Sequence, residues 1–132
     1  MVHAEVKWKQ QFEFEGHADS GHPVIVDGDS KAGSSPMELV LIALCGCTGY
    51  DVVSILQKKR EPVTAVEVTA EAERAPQSPH VFTWIKLRYR IAGKVSRKAA
   101  GDAVRLSEEK YCSVAAMLNK TAKIIYDIQL DA

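Results

Sequence analysis

The chain has 132 residues, 46% of them hydrophobic and 26% charged, enough to bury the core of one soluble domain without metals or disulfides to hold it. Seventeen basic and 17 acidic residues cancel to a net charge of zero, which excludes a strongly basic nucleic-acid binder and a protein drawn to an anionic membrane by charge. The start, Met1-Val2-His3-Ala4-Glu5, lacks the apolar run of a secretion signal, and the longest apolar run, Leu39 to Cys47, is too short for a membrane span.

The first predicted strand alternates: Val2, Ala4, Val6 and Trp8 share one face, and His3, Glu5, Lys7 and Lys9 the other. A period of two marks a half-buried strand. Phe12 and Phe14 alternate with Glu13 and Glu15 in a second short strand, Gly16 to Gly21 reads as a turn, and Pro23 to Val26 forms a third strand. Asp27 to Ser35 is a polar loop. It ends on a helix-start signal, with Ser35 as cap, Pro36 at the first helical position and Glu38 three residues after the cap.

The helix is predicted from Met37 to about Lys59. Leu39 to Cys45 is apolar almost all round, so this half is expected to be buried on most sides. Gly46 and Gly49 leave room for a local bend, and Pro62 stops the helix. In the next strand Val66, Val68, Ala70 and Ala72 oppose Glu67, Thr69, Glu71 and Glu73. After a turn at Ala75 to Pro79, Val81, Thr83, Ile85, Leu87, Tyr89 and Ile91 alternate with Phe82, Trp84, Lys86, Arg88 and Arg90. Outward acids on one strand and outward bases on its neighbour suggest cross-strand pairs.

Ser96 caps a helix from Arg97 to about Glu109, with Ala99, Ala103 and Leu106 or Ser107 inward. Tyr111-Cys112-Ser113 is a junction, with Ser113 capping a short helix from Val114 to Lys120. A last strand places Ile124, Tyr126, Ile128 and Leu130 on one face. The order implies a single α+β domain over residues 1–132 with mostly antiparallel pairing.

The chemistry-bearing candidates are thiols. Without a secretion signal the expected compartment is the cytoplasm, where Cys45, Cys47 and Cys112 stay reduced. Cys47 lies between glycines that let a ligand approach its sulfur; read plainly, it is one more apolar core atom. Cys112 precedes a predicted helix, whose amides favour a thiolate; read plainly, it is a buried turn residue. Cys45 and Cys47, two apart, point about 200° apart on a helix, so both cannot face one site. His3, His17, His22 and His80 show no ligand spacing, and no metal or other cofactor is expected. Glu38 is a capping-box partner of Ser35 or a carboxylate near Cys47. Nine positions of helix put it on the opposite side from Cys47, so a direct contact requires a bend or a second subunit.

Three stretches, Ser35-Pro36-Met37-Glu38-Leu39, Leu44-Cys45-Gly46-Cys47-Thr48-Gly49-Tyr50-Asp51-Val52-Val53 and Tyr111-Cys112-Ser113-Val114, resemble the OsmC/Ohr family of thiol peroxidases, and most closely its OsmC-like branch. The resemblance implies antiparallel sheets wrapped around a long buried central helix in an intertwined homodimer, with a site at the subunit interface. It implies Cys47 as peroxidatic thiol, Cys112 as resolving thiol and Glu38 as the site carboxylate. It implies reduction of organic hydroperoxides, an antioxidant stress-response role, and recycling by an external dithiol without cofactor. Family peroxidases pair the thiolate with an arginine from the N-terminal half, whereas the first arginine here is Arg60 and only Lys7, Lys9 and Lys31 are cationic upstream. The alternatives are a non-catalytic module holding an apolar small molecule, and a redox sensor working through a Cys47–Cys112 disulfide.

Overall fold

The computed structural model describes residues 1–131, and the chain clusters into two units, Met1–Ile42 and the segment from Ala43 onward. The first unit holds three antiparallel strands in the order β1-β2-β3: β1 (Ala4–Gln10), β2 (Glu13–Ala18) and β3 (Val24–Asp27). The alternation predicts a half-buried β1, but every residue of β1 is exposed, Trp8 and Val6 included. Period two makes one face apolar; burying it takes a second layer.

Gly16 also departs from expectation. It sits inside β2, buried, paired with Val6 on one side and Val24 on the other. A Cβ there would meet the Val6 side chain at 3.4 Å. The glycine serves close strand packing, not a turn, and the chain reverses after Ala18 instead. The polar loop is tied at its start: the buried Asp27 carboxylate accepts from the backbone amides of Asp29 (2.8 Å) and Ala32 (3.0 Å).

Helix α1 spans Pro36–Lys58, and both glycines lie inside it without ending it. Its buried residues form one stripe, Leu44, Thr48, Val52 and Leu56, at spacings of four. The rest of its apolar surface is partly or fully open, Ile42 among the most exposed, so within one chain the helix is not buried all round as its composition predicts. By length and composition alone α1 is long and apolar enough to cross a membrane. Counting only uninterrupted apolar residues misses this, because Thr48, Gly49 and Ser54 break the run without making the helix polar.

The second unit carries a sheet ordered β4-β5-β6: β4 (Val63–Arg74), β5 (Phe82–Gly93) and β6 (Lys123–Asp131). β4 and β5 are antiparallel, while β6 runs parallel to β5. Among the strands of the two sheets, that pair is the exception to otherwise antiparallel pairing. It needs a crossover, supplied by α2 (Arg97–Leu106), a π-helical turn (Ser107–Tyr111) and α3 (Ser113–Leu118). The alternation of β5 holds from Ile85 to Ile91, all four inward residues fully buried. It fails at the strand's start, where Phe82 is buried and Thr83 exposed, because a register shift opposite Glu73 and Arg74 turns the chain over.

The predicted cross-strand register is present, with Glu67 opposite Arg90 and Glu71 opposite Lys86. The ion pairs close on the other neighbour: Asp127 of β6 takes Arg88 (3.1 Å) and Lys86 (3.5 Å), and Asp131 takes Arg90 (3.0 Å). The core joins the α1 stripe to Ile85, Leu87, Tyr89 and Ile91 of β5 and Ala99, Ala100, Ala103 and Val104 of α2, each large side chain contributing about 1.5–3 kcal/mol by leaving water. Ser96 caps α2 as predicted, its hydroxyl accepting from the Ala99 amide. The regular helix ends at Leu106, not Glu109, and Ser107 is the inward residue where Leu106 or Ser107 is expected.

Candidate thiol site

Cys47 belongs to α1, one residue before the buried Thr48, and is half-buried. Cys112 is 3% exposed and itself caps α3, a place the sequence suggests for Ser113. Its sulfur accepts from the Ala115 amide at 3.3 Å, and its own amide donates to the Ser107 carbonyl at 2.8 Å, closing the π-helical turn. That turn adds one residue per loop relative to an α-helix. The chain leaves that turn at Cys112, which is buried.

The two thiols are neighbours. Burial pushes the Cys112 thiol up to about 12. The Ala115 amide pulls the other way, and a hydrogen bond to Cys47, the charge of Cys47 and the charge of Glu108 add to the upward push. Cys112 is therefore a neutral thiol at pH 7, with Cys47 near enough to add to that shift. All three cysteines are free. Cys45 is half-buried and raised by burial alone.

Glu38 is found where a capping box puts it. Its carboxylate accepts from the Ser35 amide (2.8 Å) and the Ser30 hydroxyl (3.1 Å), and its own amide donates to the Ser35 hydroxyl (3.3 Å). Those contacts, the Ser35 amide first, hold the exposed carboxyl below its ordinary range. Among the described residues, no three His, Cys, Asp or Glu side chains gather as metal ligands.

Sequence reasoning misses a polar cluster under the thiols. Thr48, Tyr89 and Ser107 are all fully buried. The Thr48 hydroxyl lies 2.8 Å from that of Tyr89 and 2.7 Å from that of Ser107. Tyr89 is bonded to a Glu108 carboxylate oxygen at 2.7 Å, and Ser107 to an Asp51 carboxylate oxygen at 2.8 Å. Burial raises Glu108, opposed by hydroxyl contacts from Tyr89 and Thr48 and supported by the charge of Asp51. Burial, then the charge of Glu108, raises Tyr89, so its phenol stays protonated. The available signals were a threonine on a buried helical stripe and a tyrosine at an inward strand position. Neither names its partner, 41 and 59 residues away. Asp51 reaches the wall of a cleft of about 410 Å³, shared with Tyr50, Ser54, Lys58, Lys59 and Tyr111.

Known proteins agree with this architecture. The family model for OsmC-like proteins matches residues 27–127. Protein YhfA of Escherichia coli K12 is 44% identical over 133 aligned positions covering 99% of each chain. A crystal structure of a hypothetical protein from Aquifex aeolicus superposes with a TM-score of 0.87 at 31% identity, covering 100% of this chain and 98% of that one. An organic hydroperoxide resistance protein OsmC from Legionella pneumophila shares the fold, with a TM-score of 0.72 at 12% identity and 98% and 96% coverage. The matched span takes in the whole of α1 and the turn that presents Cys112, and on that match the chain belongs to the OsmC-like family.

Proposed function

We propose that this protein is a cytoplasmic thiol peroxidase that reduces organic hydroperoxides through Cys47 and Cys112. The observation that carries the reading is the meeting of two free thiols with 64 residues between them in the chain. The family includes proteins described as organic hydroperoxide resistance proteins, with this fold.

The Cys47 thiolate attacks the distal oxygen of ROOH. The O–O bond breaks, a Cys47 sulfenic acid forms, and the leaving RO⁻ takes a proton to become the alcohol. The Cys112 sulfur then attacks the sulfenic sulfur. The S–S bond forms, the hydroxyl leaves, and the Cys112 proton goes with it as water. An external dithiol restores both thiols by exchange. Glu38 is proposed as the site carboxylate, a role it would hold alongside its cap.

The working unit is proposed to be an intertwined homodimer. A helix as apolar as α1 with only one buried stripe, and the exposed Val6 and Trp8 on β1, are surfaces a second copy would cover. This accounts for the apolarity of α1 without a membrane.

Steady-state consumption of cumene hydroperoxide with a dithiol, followed by mass spectrometry after one equivalent of peroxide, tests the proposal. Turnover with first oxidation at Cys47 and a Cys47–Cys112 disulfide is expected. The lack of any arginine before Arg60 favours a second reading, a non-catalytic module that holds an apolar small molecule. Thiols left intact by equimolar peroxide would leave that module standing, and a stable disulfide formed without turnover would point instead to a redox sensor.

A further inference from the structure

Four short contacts join two carboxyl groups through three hydroxyls: Glu108 to Tyr89 (2.7 Å), Tyr89 to Thr48 (2.8 Å), Thr48 to Ser107 (2.7 Å) and Ser107 to Asp51 (2.8 Å). Oxygens at such distances have a hydrogen between them. Four links need four hydrogens, and three hydroxyls supply three. Tyr89, Thr48 and Ser107 are 0% exposed, so bulk water cannot make up the difference. With both carboxylates ionised, Thr48 would have to donate twice with one hydrogen.

We propose that Glu108 and Asp51 share one extra proton along this chain of hydroxyls, which acts as a proton wire between the cleft and the thiol pair. With the proton on Glu108, the donors run Glu108, Tyr89, Thr48, Ser107, ending on the Asp51 carboxylate. If each hydroxyl passes on its hydrogen and receives another, all four links reverse. One proton has then moved from Glu108 to Asp51, no hydroxyl has changed its charge, and the two carboxyls have exchanged theirs.

Around this wire, Cys47 and Asp51 come from α1, Tyr89 from β5 and Cys112 from the cap of α3, while Glu109 and Lys110 follow Glu108 on its own turn. From β6, Tyr126 packs edge-on against Tyr89, ring centroids 6.0 Å apart. From α2, Arg105 is engaged with Asp102 and Glu109. Lys58 and Lys59 share the cleft with Asp51. Among the described residues, neither Glu108 nor Asp51 is in a salt bridge, so no cation competes for the place of the proton. Burial raising Glu108 agrees with its holding one.

The consequence falls on Cys112. An anionic Glu108 discourages a Cys112 thiolate, and a neutral one does not, so moving the proton towards Asp51 or back changes the charge beside the resolving thiol. This consequence rests on the peroxidase reading; the shared proton itself belongs to the reduced protein and needs no turnover. Glu108, Thr48 and Asp51 are positioning residues in this scheme.

The test is carbon-13 NMR of side-chain carboxyls in the reduced full chain across pH. One protonated carboxyl, on Glu108 or Asp51, is expected to persist at pH 7 in the natural sequence and in Thr48→Ser, which keeps the hydroxyl. In Thr48→Val the wire is cut into two complete bonds, Tyr89 to Glu108 and Ser107 to Asp51, so the extra proton is expected to be lost and the titration to shift to lower pH. Both carboxyls fully ionised at pH 7 in the natural protein would overturn the proposal. So would Thr48→Val titrating like Thr48→Ser. Should Thr48→Val not fold, the first measurement decides alone. Failure of peroxide turnover with a persistent protonated carboxyl would sink the peroxidase reading and leave the wire standing.

Discussion

Two helix starts carry the two candidate carboxylate regions of this protein, and they are built differently. At Ser35 the cap is local and exposed: Ser35, Glu38 and Ser30 satisfy one another within eight residues. At Cys112 the cap is a buried sulfur, and the groups around it come from α1, β5 and the end of α2. The first arrangement completes itself and could sit on any fold. The second exists only when the fold is complete, so its groups feel one another's charge, and burial pushes Cys112, Tyr89 and Glu108 above their ordinary ranges. A carboxylate that resembles a site residue by motif, Glu38, is anionic and locally satisfied, whereas one with no motif, Glu108, has its protonation tuned by burial.

The largest effect that would sharpen this contrast is at the thiols. Cys47→Ser is expected to abolish peroxide consumption, while Cys112→Ser should keep the α3 cap, because a serine oxygen accepts from the Ala115 amide as well, and stall after one turnover at the sulfenic acid. Quenched-flow peroxide assays with mass spectrometry read both, and equal activity in the two variants would break the assignment. Next comes Glu38→Gln, which retains an acceptor for the cap but loses the charge. As site carboxylate, its removal should lower kcat/KM by about tenfold or more, the size of a lost charge-assisted hydrogen bond. Unchanged kinetics would reduce Glu38 to a cap.

Smaller effects appear in stability. Thr48→Val leaves two buried hydroxyls a partner short and should cost about 1–3 kcal/mol in denaturant unfolding. Ser35→Ala should cost about 1 kcal/mol. A loss at Ser35 as large as that at Thr48 would undo the distinction between a local cap and a fold-dependent network. The smallest effect is a slope. Glu108 titrates above its ordinary range when folded, so its contribution to stability is complete below the ordinary glutamate range and is lost as pH rises through the raised value. Glu108→Gln should flatten that part of the profile in thermal melts at several pH values.

How far the sequence carries follows the same division. The Ser35 and Ser96 caps, α1 and the apolar side of β4 depend on residues a few positions apart, and all are found. Gly16 looks like a turn residue in the sequence because nothing local shows that Val6 and Val24 flank it. Phe82 turned inward through a bulge set by the partner strand. The acidic partners of Arg88 and Arg90 lie on a parallel strand 39 and 41 residues on. The cysteines stood out by their contexts, while the hydroxyl network beneath them could not, since threonine, tyrosine and serine are ordinary until their positions are known.

The parallel seating of β6 on β5 has a consequence for biogenesis. The β4–β5 hairpin closes from neighbouring sequence, but the strand beyond it cannot dock until the whole crossover from Gly93 to Lys123 has emerged and folded back. Cys112 travels on that crossover. During synthesis, then, the sulfur on α1 is in place before the crossover brings Cys112 to it.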